Sequence, residues 1–337
     1  MTRSAKPIRV GVIGAGYWGR NLLRNFAALG VLTAFCDRCE RARAESRRIY
    51  PNASAYGASE DILSDSAVDA IVIATPAATH ASLAAAALAA GKHVMVEKPL
   101  CLNPAEGRTL ANDADRRGLT LMVGHLLLYH PAFRSLAAIV REGKLGKLRY
   151  IYSNRLSLGK IRREENALWS FAPHDISMIL NLLGQMPHTI ATSGGSYLHA
   201  SIADTTLSHL TFPDGVQAHI FVSWLHPYKE HRLVVIGESG MAVFDDVQEG
   251  PSKLLFYPHA IGWVDDLPTI SKADAVPIPY DNDEPLVLEC QHFLDCVASR
   301  QRPTSDAEEG LRVLRVLNAG QESLLAGRPI RLDGIEP

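Results

Sequence analysis

The sequence predicts an α/β protein in which a doubly wound parallel sheet precedes an α+β domain with a large, mostly antiparallel sheet open on one face. Up to about residue 125, continuous apolar runs alternate with helical patterns, as in parallel sheets covered by helices on both faces. Beyond that point apolar and polar residues alternate as in hairpins, and helical patterns return near residue 284. We therefore divide the chain into residues 1–125 and residues 126–337.

The elements of the first part follow from their local patterns. A strand and turn are predicted by IRVGVIGAG, and a helix by YWGRNLLRNFAAL. Further buried strands are predicted by LTAFCD, DAIVIATP, HVMVEKP and LTLMVGH. The alanine-rich run HASLAAAALAAG predicts a helix that stops at its glycine. Strands that alternate with helices in this way form a parallel sheet.

The second part begins with an amphipathic helix, HPAFRSLAAIVREGKLG. Alternating strands follow in LRYIYSNRLSL, in DTTLSHLTFPDGVQAHIFVSWL with its PDG turn, and in HRLVVIGESGMAVFDD. An open sheet of this kind exposes apolar strand faces such as HIFVSWL unless another surface covers them. We therefore expect a homodimer or homotetramer formed through this sheet.

Composition limits the function classes. The 337 residues are 47% hydrophobic and 21% charged, with a formal net charge of −2. No basic field favours nucleic acid or an anionic membrane, and no apolar run approaches a membrane span, so a cytoplasmic protein is expected. The five cysteines include one C-x-x-C, Cys36 and Cys39, with no second pair or H-x3-5-H nearby. We predict neither a disulfide scaffold nor a metal site.

A glycine motif follows the first strand and precedes the first helix. It is Gly14-x-Gly16-x-x-Gly19, with Tyr17 and Trp18 between its last two glycines. The glycines permit a tight turn and close approach of the backbone to a pyrophosphate, while the helix N-terminus offers free N–H groups. These five residues therefore predict the cofactor site of a Rossmann domain that binds NAD(P).

The end of the second strand indicates which dinucleotide is bound. Asp37 lies there, and a carboxylate at this point accepts the ribose hydroxyls and repels a 2′-phosphate. Arg38 acts in the opposite sense, because a guanidinium can receive that phosphate. We expect NAD, with NADP less favoured. A purely structural glycine turn is the alternative, but it leaves Asp37 unexplained.

Two later strands end in polar residues at the same edge of the sheet. Thr75, Pro76 and His80 follow DAIVIATP and are predicted to line the cofactor, although His80 is equally suited to a helix start without a ligand. Glu97 and Lys98 follow HVMV and are predicted to belong to the cofactor site as well. A lysine that only faces solvent is rarely found directly after a buried strand, beside a carboxylate and before a proline. It can steady a hydroxyl while its proton leaves.

These motifs carry a family resemblance. GVIGAGYWG, the tripeptide EKP, the later APHDIS and the final EPLVLECQHFLDCV and RPTSDAEEGLRVLRVL resemble the glucose–fructose oxidoreductase / inositol dehydrogenase / MocA family over nearly the whole chain. The resemblance implies that Lys98 is catalytic and that the peptide before Pro99 is often cis. The stretches SNRLSLGKIRREENALWSFAPHDISMI and SWLHPYKEHRLVVIGESGMAVFDD are similar to a branch that includes UDP-N-acetylglucosamine 3-dehydrogenases.

The stretch WSFAPHDISMILNLLG supplies a second catalytic candidate. Pro173 suits the first position of a helix, and the apolar residues after it repeat at helical spacing. His174 then falls on the polar side, whereas Asp175 points toward the core and has a structural role. The family pattern commonly has an aspartate where this chain has Ser170, which leaves Lys98 and His174 as a working pair. A hydrogen-bonded histidine at a domain junction is the alternative.

A polar cluster precedes this helix. If the substrate carries a diphosphate, Arg155 and Arg162 are suited to bind it, and Trp169 to stack on a ring. We include Asn166 in the same substrate site. A solvated loop is the equally favoured alternative.

Together these features predict an NAD-dependent oxidoreductase that moves a hydride between a secondary hydroxyl of a sugar and the nicotinamide. The favoured substrate is a nucleotide-activated sugar, with oxidation at C3 of UDP-N-acetylglucosamine or a related UDP-sugar. Residues 1–125 would bind the cofactor, and residues 126–337 would bind the substrate and form the oligomer. Two alternatives remain: a dehydrogenase of a free sugar or inositol, and a non-catalytic NAD-binding regulator.

Overall fold

The computed structural model describes residues 7–159 and 161–332. Residues 7–129 alternate strands with helices. The elements are β1 (Val10–Ile13), α1 (Gly19–Ala28), β2 (Leu32–Cys36), α2 (Glu40–Ile49), β3 (Ser54–Tyr56), α3 (Ser59–Ser64), β4 (Ala70–Ile73), α4 (His80–Ala89), β5 (His93–Glu97), α5 (Pro104–Arg117) and β6 (Leu121–Gly124), with short 3₁₀ helices at Ala77–Thr79 and Leu126–Tyr129.

The rest of the chain is mostly strand, with helices near both of its ends. The elements are α6 (Pro131–Arg141), β7 (Leu148–Leu156), α7 (Ala167–Leu183), β8 (Thr189–Gly195), β9 (Thr205–Thr211), β10 (Gln217–Ser223), β11 (Glu230–Gly237), β12 (Met241–Asp245), β13 (Leu254–Tyr257), β14 (Ala260–Val264), β15 (Leu267–Ser271), β16 (Val276–Pro277), α8 (Pro285–Ser299), α9 (Ala307–Ala326) and β17 (Ile330–Arg331), with a 3₁₀ helix at Gly250–Lys253. None of the described helices is both long and apolar enough to span a bilayer.

The chain divides into two compact units, and the division differs from the predicted one. Residues 283–314 belong to the first unit together with residues 1–129, and residues 130–282 form the second unit with the chain from Arg315 onward. The predicted boundary at residue 125 lies close to residue 129, where the first stretch of the first unit ends. Residues 283–314, which the prediction assigned to the second domain, group with the first unit instead. Helix α8 packs on α1 and on the 3₁₀ helix Leu126–Tyr129, which joins it to the first unit.

The sheet of the first unit has six parallel strands in the order β3-β2-β1-β4-β5-β6. Its central strands, such as VGVI in β1 and AIVI in β4, are buried along their whole length. Continuous apolar runs of this kind suit strands that helices cover on both faces, so the predicted doubly wound sheet is confirmed. The chain turns in opposite directions from β1 and β4, and the carboxyl ends of such neighbouring strands form a ligand crevice.

The sheet of the second unit has nine strands in the order β16-β13-β12-β11-β7-β10-β9-β8-β17. Strands β7 and β10 are parallel, and every other described pair in it is antiparallel. The predicted PDG turn joins β9 to β10, with Gly215 at φ +87°. Glycine suits a turn there because side-chain-bearing residues rarely adopt positive φ. The mostly antiparallel sheet is confirmed.

One face of this sheet is packed and the other meets solvent. Helix α7 packs on β7, β9 and β10. Along β9, the side chains of Thr206, Ser208 and Leu210 are buried, whereas Leu207 and His209 between them are exposed. Alternation of this kind is typical of an antiparallel sheet with one solvated face, as predicted.

Candidate active site

The glycine turn between β1 and α1 is shaped by close contacts. A Cβ added to Gly19 would lie 1.8 Å from the carbonyl oxygen of Gly14, and Gly14 itself has φ +99°. A Cβ added to Gly16 would meet no atom of the described residues within 4 Å. Gly14 and Gly19 are therefore required by the turn itself, whereas Gly16 leaves an open surface on which a pyrophosphate can approach the backbone. The turn fits a dinucleotide.

The two aromatic residues inside the motif differ in their contacts. Tyr17 is 88% exposed. Trp18 is half-buried, and its indole Nε1 donates a hydrogen bond to Oε1 of Glu97. Trp18 therefore connects the glycine turn to the segment that carries Lys98.

Asp37 lies at the carboxyl end of β2, one strand away from the glycine turn. Its Oδ2 accepts the backbone N–H of Ala15 at 2.7 Å, and its Oδ1 accepts that of Cys39 at 2.8 Å. The carboxylate is thus fixed beside the turn, and each oxygen retains a further lone pair for a ribose hydroxyl. Arg38 is exposed.

The C-x-x-C pair, Cys36 and Cys39, has Asp37 and Arg38 between its two thiols. Cys36 is buried and Cys39 exposed, and both are free. Burial, reinforced by the charge of Asp37, raises the pKa of the Cys36 thiol to about 11, the opposite of what a reactive thiolate needs. Among the described residues, no three His, Cys, Asp or Glu side chains lie together as a metal site.

The segment after β4 is held by a buried histidine. Ring nitrogen Nδ1 of His80 lies 2.7 Å from the carbonyl oxygen of Pro99, and Nε2 lies 2.9 Å from that of Thr75. The imidazole is 1% exposed, so the prediction that His80 lines the cofactor is not supported by its contacts. His80 instead joins the segments after β4 and β5. Thr75 is half-buried and Pro76 is exposed at the edge of the sheet.

Lys98 directly follows β5, and the Lys98–Pro99 peptide is cis, as the resemblance implied. The carboxylate of the preceding Glu97 accepts from Trp18 and, at 3.3 Å, from the backbone N–H of Lys98. It also lies against Gly124, where an added Cβ would be 3.1 Å from the carboxylate. Burial raises the pKa of Glu97 to about 7, while the Trp18 hydrogen bond and the Lys98 charge oppose the rise.

The first unit also contains titratable residues that the sequence did not reveal. His125 follows β6 and is 1% exposed, with its Nδ1 2.5 Å from Oε2 of Glu309. Glu289 of α8 is fully buried. The sequence signal for these residues is weak: glutamates lie in the apolar helical runs VLECQHF and AEEGLRVL, and this pattern does not show which groups they face.

In the second unit, α7 begins earlier than predicted. Asn166 is its N-cap, and its Oδ1 accepts the backbone N–H of Trp169 at 3.2 Å. Pro173 therefore lies inside the helix, not at its first position. His174 sits in the helix interior and is half-buried, so its predicted place at a helix N-terminus is wrong.

Asp175 has the structural role that the sequence predicted. It is fully buried and accepts hydrogen bonds from Nε of Arg155 at 2.9 Å, from Nη2 at 3.1 Å and from Oγ of Ser153 at 2.6 Å. Nη1 of Arg155 lies 3.4 Å from His231, whose pKa is lowered to about 3 by burial and by the Arg155 charge. Because Arg155 is 6% exposed and already paired with Asp175, its contacts do not favour the predicted role as a diphosphate ligand.

The other three predicted substrate residues lie close together in the sequence before and within the first turn of α7. Asn166 Nδ2 and Trp169 Nε1 donate to the same oxygen, Oε1 of Gln321, at 2.7 and 3.2 Å. Arg162 pairs with Glu165 at 3.0 Å and retains 40% of its side-chain exposure. Arg162 thus keeps an accessible charge, whereas Asn166 and Trp169 are fixed by Gln321. Lys98 belongs to the first unit and His174 to the second.

Comparison with known families decides the class of protein. A profile described as an oxidoreductase family with an NAD-binding Rossmann fold, GFO/IDH/MocA, matches residues 8–125, and the GFO/IDH/MocA C-terminal domain matches residues 133–243. The chain belongs to the Gfo/Idh/MocA family. It is an NAD-binding oxidoreductase, and the two profiles match part of each unit.

Several members of the Gfo/Idh/MocA family resemble the chain along most of its length. The UDP-N-acetylglucosamine 3-dehydrogenase of Acidithiobacillus ferrooxidans is 29% identical over 91% of this chain and 94% of the relative, and one of its solved structures aligns with a TM-score of 0.83 at 26% identity, covering 95% and 98% of the two chains. A putative oxidoreductase from Magnetospirillum magnetotacticum is 31% identical over 93% and 99%, with a TM-score of 0.78. The scyllo-inositol 2-dehydrogenase (NADP(+)) of Bacillus subtilis is 26% identical over 98% of both.

Proposed function

We propose that the chain oxidises the C3 hydroxyl of UDP-N-acetylglucosamine, or of a closely related UDP-sugar, and transfers the hydride to NAD. The observation that carries this proposal is the bond between Trp18 and Glu97, which joins the glycine turn to the segment of Lys98. A lysine on a segment joined to a dinucleotide turn is suited to receive or relay the proton of a hydroxyl group while its carbon gives up a hydride. The similarity to a UDP-N-acetylglucosamine 3-dehydrogenase supports the substrate.

The described residues fit the cofactor. Gly16 leaves the backbone open to the pyrophosphate, and Asp37 offers carboxylate lone pairs to the ribose hydroxyls. NAD, when bound, supplies the two-electron acceptor for the hydride. We propose NAD over NADP because the carboxylate of Asp37 would repel a 2′-phosphate. Tighter binding of NADP than of NAD would contradict this preference.

In this proposal both Lys98 and His174 act on the substrate hydroxyl. The lysine Nζ stabilises the developing alkoxide by hydrogen bonding and relays the hydroxyl proton onward. His174 orients or deprotonates the same hydroxyl, because a neutral imidazole both donates and accepts a hydrogen bond. No carboxylate stands at Ser170, so the scheme needs only these two side chains.

We propose that Arg162 binds the diphosphate of the substrate. The other predicted arginine, Arg155, is already paired with Asp175. The loss of one predicted phosphate ligand is also the specific observation that favours a second candidate, a free sugar or inositol dehydrogenase. A relative that acts on scyllo-inositol adds to it. This candidate needs no diphosphate ligand.

Two further parts of the proposal concern the oligomeric state and the cellular location of the protein. We propose that a homodimer or homotetramer forms through the open face of the nine-stranded sheet, where Leu207 is 46% exposed. We also propose that the protein works in the cytoplasm. Sedimentation of the purified protein tests the first point, and a single monomeric species would contradict it.

The decisive experiment compares substrates and variants. Reduced nicotinamide is followed by absorbance with UDP-N-acetylglucosamine and with free sugars and inositols. Turnover with the UDP-sugar should be lost in Lys98→Met while NAD affinity stays unchanged, because the lysine serves the hydroxyl and not the dinucleotide. Lys144→Met is the matched control, since Lys144 lies beyond the end of α6 and its side chain is 60% exposed.

Arg162→Ala separates the two substrate classes. It should raise KM for the UDP-sugar roughly tenfold or more by removing a charge-assisted contact, and leave any free-sugar activity unchanged. Arg141→Ala, an exposed arginine of the same unit, is the control. Preference for inositol with no effect of Arg162→Ala would favour the second candidate. NAD binding without turnover of any sugar would overturn both.

A further inference from the structure

Strands β14 and β15 form a separate two-stranded hairpin. Among the described strands they pair only with each other, and in the chain they lie between β13 and β16, the last two strands at one edge of the nine-stranded sheet. Every residue of both strands is exposed. A hairpin of two strands that is not packed against another element is marginally stable at best in water. This hairpin therefore needs a surface to pack against.

The turn of the hairpin adds to this need. Its two central residues are Asp265 and Asp266, with φ of +50° and +61°. Positive φ at both central positions is required by two-residue hairpin turns of type I′, for which Asn-Gly and Asp-Gly are the preferred sequences. Asp-Asp places a side chain at the position where a glycine avoids strain. The turn by itself is thus a weak source of stability for the hairpin.

One face of the hairpin is apolar along its length. Residues that lie opposite each other in an antiparallel pair share a face, and so do residues two positions apart in a strand. The pair Ile261 and Ile270 therefore lies on the same face as the pair Trp263 and Pro268. The two strands contain no charged residue, although charges are a usual protection of exposed strand edges against association. This face is suited to be covered by another apolar surface.

The exposed apolar area of the hairpin is large enough for a specific interface. Five large apolar side chains are between 59% and 70% exposed: Ile261, Trp263, Val264, Leu267 and Ile270. At roughly 100–200 Å² each, they present about 600–700 Å² of surface. Monomeric proteins rarely expose apolar patches larger than a few hundred Å². Counted on two partners, the same side chains bury about 1,200–1,400 Å², which lies within the range of stable, specific interfaces.

Charge and symmetry favour a second copy of this chain as the partner. The turn carries two carboxylates and the strands carry no cation, so an anionic membrane surface would repel the hairpin. The residues at the two ends of the chain that the structure does not describe, MTRSAK and DGIEP, contain too few large apolar side chains to cover it. A second copy brings an equal apolar surface, and a two-fold axis covers both hairpins in one contact.

We propose that the β14–β15 hairpin is a self-association arm, whose apolar face packs against a second copy of this chain across a two-fold axis. Trp263 is the anchor of this contact, because a large aromatic side chain at the centre of an interface contributes most to its affinity. The arm adds a contact to the one proposed for the open face of the nine-stranded sheet. It does not depend on the proposed chemistry, and its tests need no substrate.

Sedimentation equilibrium of the purified full chain at micromolar concentrations tests the contact. Trp263→Ser combined with Ile270→Ser should halve the mass of the assembly or raise the Kd of self-association at least about thirtyfold. Leu325→Ser is the control and should keep the wild-type mass, because Leu325 is 79% exposed on α9, away from the hairpin in the sequence. An unchanged mass and Kd in the double variant would overturn the proposal, and so would a monomeric wild type.

Acrylamide quenching of the Trp263 fluorescence tests whether a second copy covers the arm. The Trp263 signal is the difference between wild type and Trp263→Phe, a substitution that keeps an aromatic ring on the apolar face. Quenching should be slow in the wild-type assembly and fast in Ile270→Ser or on dilution below Kd, since the indole is 70% exposed in the single chain. Fast quenching of wild type at every concentration would overturn the proposal. Protection that appears only with phosphatidylserine vesicles would also overturn it, in favour of a membrane.

Discussion

The ion pair between Asp175 and Arg155 is the contact whose removal is expected to cost most in the second unit. The carboxylate is fully buried and binds the guanidinium through two hydrogen bonds, at 2.9 and 3.1 Å, and Ser153 at 2.6 Å. In Asp175→Ala the guanidinium would stay at 6% exposure without its counter-charge. The helix that carries His174 would lose these side-chain hydrogen bonds to β7 at the same time.

The size of the effect follows from the burial of both partners. Removing one member of a buried pair costs about 3–5 kcal/mol, because the other charge is left uncompensated. Asp175→Asn keeps an acceptor oxygen and should cost less. Replacing both residues by apolar ones, Arg155→Met with Asp175→Leu, should recover most of the loss, since neither desolvated charge remains. The two single substitutions are therefore expected to be strongly non-additive.

Urea unfolding followed by tryptophan fluorescence measures these differences, because Trp169 and Trp224 lie in the second unit. Asp115→Ala is the control: its partner Arg302 is 69% exposed, so little change is expected. A loss below about 1 kcal/mol in Asp175→Ala, or additive single effects, would refute the reasoning.

Two further predictions concern the first unit. Gly16→Ala should leave the apo protein as stable as wild type, because the added Cβ meets no described atom within 4 Å. The same substitution should weaken NAD binding roughly tenfold in calorimetry, because the Cβ blocks the pyrophosphate. Gly19→Ala should instead destabilise the apo protein by about 1–3 kcal/mol, since its Cβ would lie 1.8 Å from the carbonyl oxygen of Gly14. Equal effects of the two substitutions on the apo protein would contradict this division. Glu97, whose pKa burial raises from 4.5 to about 7, should contribute stability that is complete below pH 4.5 and lost as the pH rises through about 7. Urea midpoints across this range should therefore fall less steeply in Glu97→Gln, and parallel curves would argue against the raised pKa.

Sequence patterns predicted those elements whose structure depends on residues that are close together in the chain. The turn between β1 and α1 was predictable because its glycines relieve clashes within the motif, as the 1.8 Å approach at Gly19 shows. The alternation along β9 was predictable because a strand with one buried face has a two-residue period. The position of Lys98 at the end of β5 followed from the buried strand before it.

Contacts between segments that are far apart in the sequence could not be predicted from local patterns. Nothing in the pattern around Arg155 shows that Asp175 on α7 neutralises it. The helix start was misplaced for a related reason: Pro173 is suited to a first turn, but Asn166 caps the helix earlier and the proline is carried inside it. The packing of α8 on α1 and on the 3₁₀ helix Leu126–Tyr129, where Glu289 is fully buried, likewise depends on contacts that no single stretch of sequence encodes.

Transfer of the C3 hydrogen is the measurement that tests the proposed function most directly. UDP-N-acetylglucosamine with deuterium at C3 is incubated with the protein and NAD, and the reduced cofactor is examined by mass spectrometry. The label is expected in the reduced nicotinamide with wild type and to be absent with Lys98→Met. A reduced cofactor without deuterium, or no reduction while NAD is bound, would contradict oxidation at C3 by this chain.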